Sequence, residues 1–252
     1  MVEVSSPAGT KYCIDRSEVT QADYAKFLAA APAKAGGEHT ACGSNGTYLP
    51  RQVPPGTVWE PAGDCVVGIG WTPESTPNRP VVCIDWCDAY AYCKWAGKRL
   101  CGKIGGGPLV ADPGTINQPN PNDEAANALA SQWYNACSQG GKTAYPYGNA
   151  YGSDACEGAD NSAGSPKKDV GASPGCRGST EPYSSIVDLS GSVQEFTDEC
   201  MLDTTGPLTI EVCIARGGSR WTSSDLMGCR PYASVSRDRS EESFGFRCCK
   251  DY

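Results

Sequence analysis

The chain has 252 residues with 15 cysteines, one histidine and a formal net charge of -8. That charge argues against nucleic acid or anionic lipid as a partner, since both are bound through clustered Lys and Arg side chains. No stretch approaches the roughly 20 apolar residues of a membrane span. Because cytosolic thiols stay reduced, the cysteine content indicates a disulfide-bonded protein that is secreted, periplasmic or on the cell surface.

The 30 glycines and 19 prolines predict one loop-rich domain with modest regular structure. A short helix is predicted at residues 19–28, where Thr20 is a suitable N-cap and Asp23 occupies position N3. A second helix is expected to begin near Asp85 and to end at Gly97, because apolar residues recur between them at helical spacing.

A stretch rich in glycine, proline and asparagine follows the second predicted helix. We interpret residues 102–122 as a surface insertion and residues 123–137 as a third helix, capped by Asp123. Short strands and long loops are expected beyond it. Acidic pairs at 198–199 and 241–242 are interpreted as solvated surface, and His39 as a solvated loop residue without a catalytic partner.

Six short segments at residues 12–20, 85–100, 145–149, 188–196, 215–219 and 245–248 are spread over nearly the whole chain. In sequence and in order they resemble the motifs of the formylglycine-generating enzyme family, also called sulfatase-modifying factors. The extra cysteines and the insertion also resemble an exported, cysteine-rich branch with myxobacterial members. The resemblance implies an α+β single-domain fold over residues 1–252, loop-rich, related to the C-type lectin fold and cross-linked by disulfides.

The resemblance implies two disulfides by position, Cys93–Cys248 and Cys137–Cys229. Five further pairs are suggested only by proximity in sequence or at the termini: Cys42–Cys65, Cys87–Cys101, Cys156–Cys176, Cys200–Cys213 and Cys13–Cys249. Because the count is odd, one thiol is left over, and this pairing leaves Cys83 in an apolar run. A buried, inert thiol and a reactive or intermolecular thiol are both compatible with the sequence.

Family members that oxidise a client cysteine hold Cu(I) between two cysteines just after a Gly-Gly-Ser turn, and thiolates suit that soft ion. The matching interval here, residues 220–228, contains no cysteine, so we expect no copper site. In an alternative alignment Cys229 is one ligand opposite Ser223 or Ser224, but a hydroxyl is a poor Cu(I) ligand. The iron-dependent sulfoxide synthases of the same superfamily need several histidines, which His39 alone cannot supply.

Calcium is the cofactor that the resemblance still implies. The family's Gly-Asn-Val-x-Glu loop holds a structural calcium, and here it reads Gly-Ser-Val-Gln-Glu, with Ser192, Val193 and Glu195 as the candidate ligands. Hard cations prefer such oxygen ligands. A second family site would fall near Glu157, Asp160 and Asn161. Haem, flavin and nucleotides are not expected, since the glycine run at 105–107 lacks the Lys-Ser/Thr tail of a phosphate cradle.

The missing copper cysteines favour a binding or structural module for a peptide, protein or glycan, acting as a monomer. Its candidate groove contains Ser219, Trp221, Ser224 and Arg237, with the Trp221 ring as an aromatic platform. The alternative is an oxidase or protein-modifying enzyme of the family with a changed site that uses Cys83 or Cys229. A secreted toxin or inhibitor has only the cysteine density in its favour, and no catalytic residue is assigned.

Overall fold

The structure is a computed structural model, and it describes residues 1–30, 39–54, 65–68, 70–110, 124–162, 165–203 and 210–252. The helices within these ranges are α1 (Gln21–Ala30), α2 (Trp86–Trp95), α3 (Glu124–Ala130), α4 (Gln132–Cys137) and α5 (Ala159–Ser162). The strands are β1 (Val2–Ser5), β2 (Lys11–Ile14), β3 (Arg99–Leu100), β4 (Leu109–Val110), β5 (Gln194–Asp203), β6 (Ile210–Arg216), β7 (Tyr232–Ser236), β8 (Phe244–Phe246) and β9 (Cys248–Asp251). None of the described helices has the length and apolarity needed to cross a bilayer.

Two sheets organise the domain. The first is antiparallel with strand order β1-β2-β9-β3, so the N-terminal hairpin pairs with the last strand of the chain. The second has the order β4-β5-β6-β7, and β8 pairs with β5 in parallel. The strand β5 is therefore the centre of the second sheet, and it carries the acidic residues discussed below.

The first two helices begin where their caps predict, and α1 continues to Ala30, two residues beyond the predicted range of 19–28. The Thr20 Oγ1 accepts a hydrogen bond from the Asp23 amide at 3.2 Å, so α1 begins at Gln21. The Asp85 side chain accepts from the Asp88 amide, and Asp88 accepts in return from the Asp85 amide, which completes a capping box. The chain leaves α2 through Gly97, whose φ of 69° suits glycine.

The third predicted helix is two helices, because Ser131 interrupts it. Ser131 has an extended backbone (φ -100°, ψ 125°), and its Oγ accepts from the Tyr134 amide to cap α4. The same hydroxyl donates to Glu199 Oε1 at 2.5 Å, so a buried acid on β5 fixes the break. Asp123, the expected cap, lies outside the described residues.

The segment 102–122, interpreted as a surface insertion, is exposed at Lys103, Gly105 and Pro108 but is packed into the fold at other described residues. Gly102 and Ile104 are buried, and Leu109–Val110 pair in parallel with β5. A Cβ on Gly102 would lie 2.7 Å from the Gly107 carbonyl oxygen, so this segment packs closely on itself. Residues 111–122 lie outside the described ranges.

Two apolar clusters form most of the core. The larger packs α1 and α2 against β5, β6 and β8, with Tyr24, Phe27, Trp86, Tyr92 and Phe246 among its members. The second packs the first sheet against α4. The chain therefore has a sizeable core of its own, and the disulfides add to it.

Seven disulfides cross-link the fold, and four match expected pairs. The two pairs implied by the family resemblance, Cys93–Cys248 and Cys137–Cys229, are both present. So are two of the pairs suggested by sequence proximity, Cys156–Cys176 and Cys200–Cys213. The last of these joins residues that lie directly opposite each other on β5 and β6.

The other three expected pairs are wrong. Cys42 bonds to Cys87, because the 3-10 turn Thr40–Cys42 lies beside the start of α2. Cys101 follows β3 and bonds to Cys249 on the neighbouring β9.

The expected free thiol, Cys83, is bonded to Cys65, and the free thiol is Cys13. In β2 it is Ile14 that lies opposite Cys249, while Cys13 lies opposite Lys250. Neighbouring strand residues point to opposite faces of a sheet, so Cys13 points away from Cys249. The expected pair Cys13–Cys249 rested on proximity at the termini, and proximity gives no information on strand register.

Candidate functional site

The connection between β6 and β7 is where the resemblance implies the copper ligands. It begins with Gly217 and Gly218, both at positive φ, and a Cβ on Gly218 would lie 2.9 Å from the Leu226 carbonyl oxygen. The tightness of this turn requires glycine there. Ser219 is buried, and its amide donates to Thr222 Oγ1 at 2.8 Å. Ser219 is therefore part of the turn's own framework and is not open to a ligand.

Trp221 and Leu226 project from this connection. Their exposed fractions are 54% and 58%, among the largest for apolar residues in the part of the chain that is described. The guanidinium of Arg220 stacks on the Trp221 ring at 5.0 Å, and Arg220 is itself buried with Glu157, at an Nε to Oε1 distance of 3.9 Å. Its Nη2 also donates to the Ser162 carbonyl oxygen at 3.0 Å. Arg220 thus gives Trp221 a fixed support.

Ser224 lies in the same connection at φ 57°, and its carbonyl oxygen accepts from the Tyr145 hydroxyl at 3.4 Å. A small cavity of about 190 Å³ lies beside it, lined by Tyr134, Ala144, Tyr145, Asp225, Gly228, Arg230 and Pro231. Ser219, Trp221 and Ser224 thus lie in the same connection, but only Trp221 and Ser224 are at the surface.

Arg237 does not join them. Ser219 follows the end of β6, whereas Arg237 follows β7 and pairs with Glu211 near the start of β6. A strand of seven residues spans roughly 20 Å at about 3.3 Å per residue. The expected groove is therefore divided between the two ends of the β6–β7 hairpin.

At its own end of the hairpin, Arg237 forms one side of a cleft of about 370 Å³. Its guanidinium lies over the Trp86 ring at 3.8 Å and donates to both Glu211 carboxylate oxygens at 2.9 Å. These bonds lower the pKa of Glu211 below its usual value. The cleft is lined by Ala41, Ser44, Asn45, Gly46, Asp85, Cys87, Glu211, Ser236, Arg237 and Asp238.

The walls of this cleft are held by cross-links. The Cys42–Cys87 disulfide joins the 41–46 segment to α2, and Asn45 Nδ2 donates to Asp88 Oδ1 at 2.9 Å. His39, expected to be a solvated loop residue, packs its ring at 5.4 Å from Trp86 and caps the turn that contains Cys42. The cleft is therefore formed before any ligand arrives.

The cysteines near the implied copper site are fully bonded. Cys229, which directly follows the interval 220–228, is bonded to Cys137. All 15 cysteines are among the described residues, and Cys13 alone is outside a disulfide. Cys13 lies on β2 in the other sheet, with its Sγ 3.5 Å from the Tyr252 hydroxyl. These residues do not fit a two-thiolate copper site.

Glu195, the carboxylate of the implied calcium loop, is bound by protein groups. Its Oε2 accepts from Trp133 Nε1 at 2.8 Å and from Arg247 Nε at 2.6 Å, and its Oε1 accepts from Arg247 Nη2 at 2.6 Å. A guanidinium this close opposes a divalent cation by charge repulsion. The arrangement around Glu195 therefore does not fit a calcium ligand.

Other candidate calcium ligands make contacts within the protein. The Ser192 backbone bonds to the Glu157 carbonyl oxygen and to the Arg220 amide, and the buried Val193 packs beside the Cys65–Cys83 disulfide. Asn161 Oδ1 accepts from the Gly158 amide. No group of three or more His, Cys, Asp or Glu residues within the described ranges is placed to hold a metal ion. We derive no calcium site from these contacts.

Buried acids are the feature that the sequence interpretation missed. Asp198, Glu199 and Glu242 were expected at the surface, yet all three are buried. Glu199 pairs with Arg216 at 2.6 Å, and burial raises the pKa of Asp198 to about 6. Asp198 and Glu199 both lie on the central strand β5, which packs on both faces. Glu195, Thr197 and Glu199 alternate along β5 with residues that include Phe196, and this alternation was the available signal for a strand. It did not reveal that the acids are buried, because side chains on both faces of β5 are covered.

The two sheets, the short helices and the seven disulfides define a mixed α/β domain of the formylglycine-generating-enzyme type. A sequence profile of the sulfatase-modifying factor enzyme 1-like domain matches residues 7–252, so the chain belongs to this family. No curated protein sequence matches it significantly.

Solved structures of similar fold cover almost the whole chain. PvdO from Pseudomonas aeruginosa aligns with a TM-score of 0.55 and 16% identity over 96% of this chain and 81% of PvdO. Treponema denticola variable protein 1 aligns at 0.52 and 18% over 96% and 85% of the two chains. CarF aligns at 0.52 and 17% over 100% and 93%. Identities this low support the fold alone.

Proposed function

We propose that this protein is an exported, monomeric binding module of the family and that it does not carry out copper-dependent cysteine oxidation. The observation that carries the proposal is which cysteines are in disulfides and where the cysteines lie. Cys229 is in a disulfide, residues 220–228 contain no cysteine, and the one free thiol lies in the other sheet. Cu(I) bound linearly requires two thiolates, so the family's chemistry has no ligand pair here.

The alternative, an oxidase or protein-modifying enzyme with a changed site, loses its candidate residues. Cys83 and Cys229 were the groups on which it depended, and both are in disulfides. Seven disulfides also support export, because such bonds persist in oxidising compartments.

The Arg237 cleft is the binding site that the geometry supports best. Its volume of about 370 Å³ lies within the range of ordinary ligand sites. Three acidic residues, Asp85, Glu211 and Asp238, line it against a single arginine, which is already paired with Glu211, and the Asp85 carboxylate also caps α2. This charge balance favours a cationic group, and we assign the cleft to a Lys or Arg side chain of a peptide or protein partner.

Two experiments test this function. Purified protein is first incubated with Cu(I) and a cysteine-containing peptide, and the mass of the peptide is measured by mass spectrometry. We expect an unchanged peptide, and conversion of its cysteine to an aldehyde would overturn the proposal.

The second experiment measures retention of a peptide library in which one position is Lys, Arg, Ser or Asp. We expect Lys and Arg peptides to be retained, less so at high salt. Asp238→Asn should weaken retention, whereas Asp154→Asn, an exposed aspartate elsewhere, should not. Loss of retention in Trp221→Ala but not in Asp238→Asn would place the site at the β6–β7 connection and contradict the cleft.

A further inference from the structure

Glu18 is a carboxyl buried without a hydrogen-bond partner. The residue is 2% exposed, and among the described residues neither Oε1 nor Oε2 has a partner. It precedes Val19, whose amide and carbonyl bond to Phe246 and Val81, so the backbone on which it is carried is fixed in the core. A carboxylate in this position would be stabilised by the amide of Glu18 itself, but this effect is smaller than the opposing effect of burial.

Three charged groups face Glu18: Asp188, Arg247 and Glu195. Glu157 in turn faces Asp188. The only cation of the set, Arg247, is completely engaged. Its Nε and Nη2 donate to Glu195, Nη2 also donates to the Val187 carbonyl oxygen, and Nη1 donates to the carbonyl oxygens of Asp15 and Arg16. No guanidinium hydrogen is left for Glu18.

The balance of charges determines which carboxyl groups of this cluster are protonated. Glu18, Asp188 and Glu195 face one guanidinium, and the bidentate contact assigns that guanidinium to Glu195. An unpaired buried ion costs several kcal/mol, so at least one remaining carboxyl retains its proton. Asp188 accepts a hydrogen bond from the Gly171 amide, which favours its ionised form over that of Glu18. We infer that Glu18 is a neutral carboxylic acid in the folded protein at neutral pH and makes the fold sensitive to alkaline conditions.

The direction of the pH effect follows from linkage. Burial is the largest cause that raises the pKa of Glu18 well above its usual value, and the Asp188 charge adds to it. The folded state therefore holds a proton that the unfolded chain releases above its ordinary carboxyl pKa. The stability that this proton contributes is fully present at acid pH and falls as the pH rises from about 4.5 towards the folded-state pKa of Glu18. This property is independent of any ligand.

Urea unfolding of the wild type and of Glu18→Gln between pH 5 and pH 9 tests the inference, with the exposed Glu74→Gln as the matched control. For the wild type and the control, the unfolding equilibrium constant should rise by up to about tenfold per pH unit within the window. In Glu18→Gln this rise should be smaller, because the amide cannot ionise. Equal pH dependence in all three proteins would overturn the inference.

Infrared spectroscopy keeps the inference testable if Glu18→Gln does not fold. The wild type at pH 7 should show the carbonyl stretch of a protonated, buried carboxylic acid. Its absence would contradict a neutral Glu18. Where the variant does fold, the same band should be lost from its spectrum and retained in that of Glu74→Gln.

Discussion

Arg247 and Glu195 form a fully buried bidentate ion pair, in which both nitrogen-oxygen distances are 2.6 Å. The pair joins the segment between β8 and β9 to the central strand β5, and Trp133 from α4 donates to the same carboxylate. It thus connects both sheets and a helix at one point.

Replacing Arg247 with leucine should leave the Glu195 charge buried and unpaired, and should destabilise the fold by about 3–5 kcal/mol. Urea unfolding measures the loss. The control is Arg239→Leu, which removes an exposed partner of Glu241 and should cost no more than about 1 kcal/mol. Equal losses in the two variants would mean that the buried pair has no special role.

Asp198 gives a second pH prediction. Burial raises its pKa from 3.8 to about 6, so the folded protein binds a proton there more tightly than the unfolded chain does. The resulting stability is present below about pH 4 and is lost as the pH rises through about 6. Asp198→Asn should therefore raise the melting temperature at pH 8 relative to the wild type and change it less at pH 5. A variant that is less stable at pH 8 would contradict this.

The sequence predicted the local parts of the fold well and the long-range parts only where the family resemblance supplied them. Caps at Thr20 and Asp85 located two helices, since capping depends on neighbouring residues. The pair Cys93–Cys248 came from the resemblance, because 155 residues separate the two cysteines and no local rule connects them. Cys13–Cys249 failed because the faces of β2 and β9 depend on their register.

The candidate site shows the same limit. Ser219 and Arg237 are 18 residues apart in sequence, but the intervening strands place them at opposite ends of the β6–β7 hairpin. The sequence interpretation relied on proximity along the chain and therefore assigned two separate surfaces to one groove. The buried acids on β5 were missed because their partners, Arg216 and Ser131, come from distant segments.

The disulfides should differ in their contribution to stability. Cys93–Cys248 closes a loop of 155 residues, whereas Cys200–Cys213 closes one of 13. Chain-entropy estimates give about 5 kcal/mol for a loop of the first size and about 3 kcal/mol for the second. Paired Cys→Ala variants, compared by urea unfolding, should follow this order. The reverse order would show that local strand pairing outweighs loop closure.

Gly191 should tolerate no side chain. It has φ 74°, and a Cβ there would overlap with the Glu157 carbonyl oxygen. Gly191→Ala should therefore lose at least about 1–3 kcal/mol from backbone strain alone. Gly43→Ala is the control, because nothing lies within 4 Å of its Cβ and its φ is negative. Similar melting temperatures for the two variants would contradict the close contact.

Alkylation of the unreduced, unfolded protein followed by peptide mass mapping tests most directly whether the cysteines cross-link the scaffold instead of holding copper. One alkylated residue, Cys13, is expected, together with a linked Cys137–Cys229 peptide pair. Stoichiometric alkylation of Cys229 together with a second cysteine would contradict it, because a thiolate pair beside the β6–β7 connection would then be available.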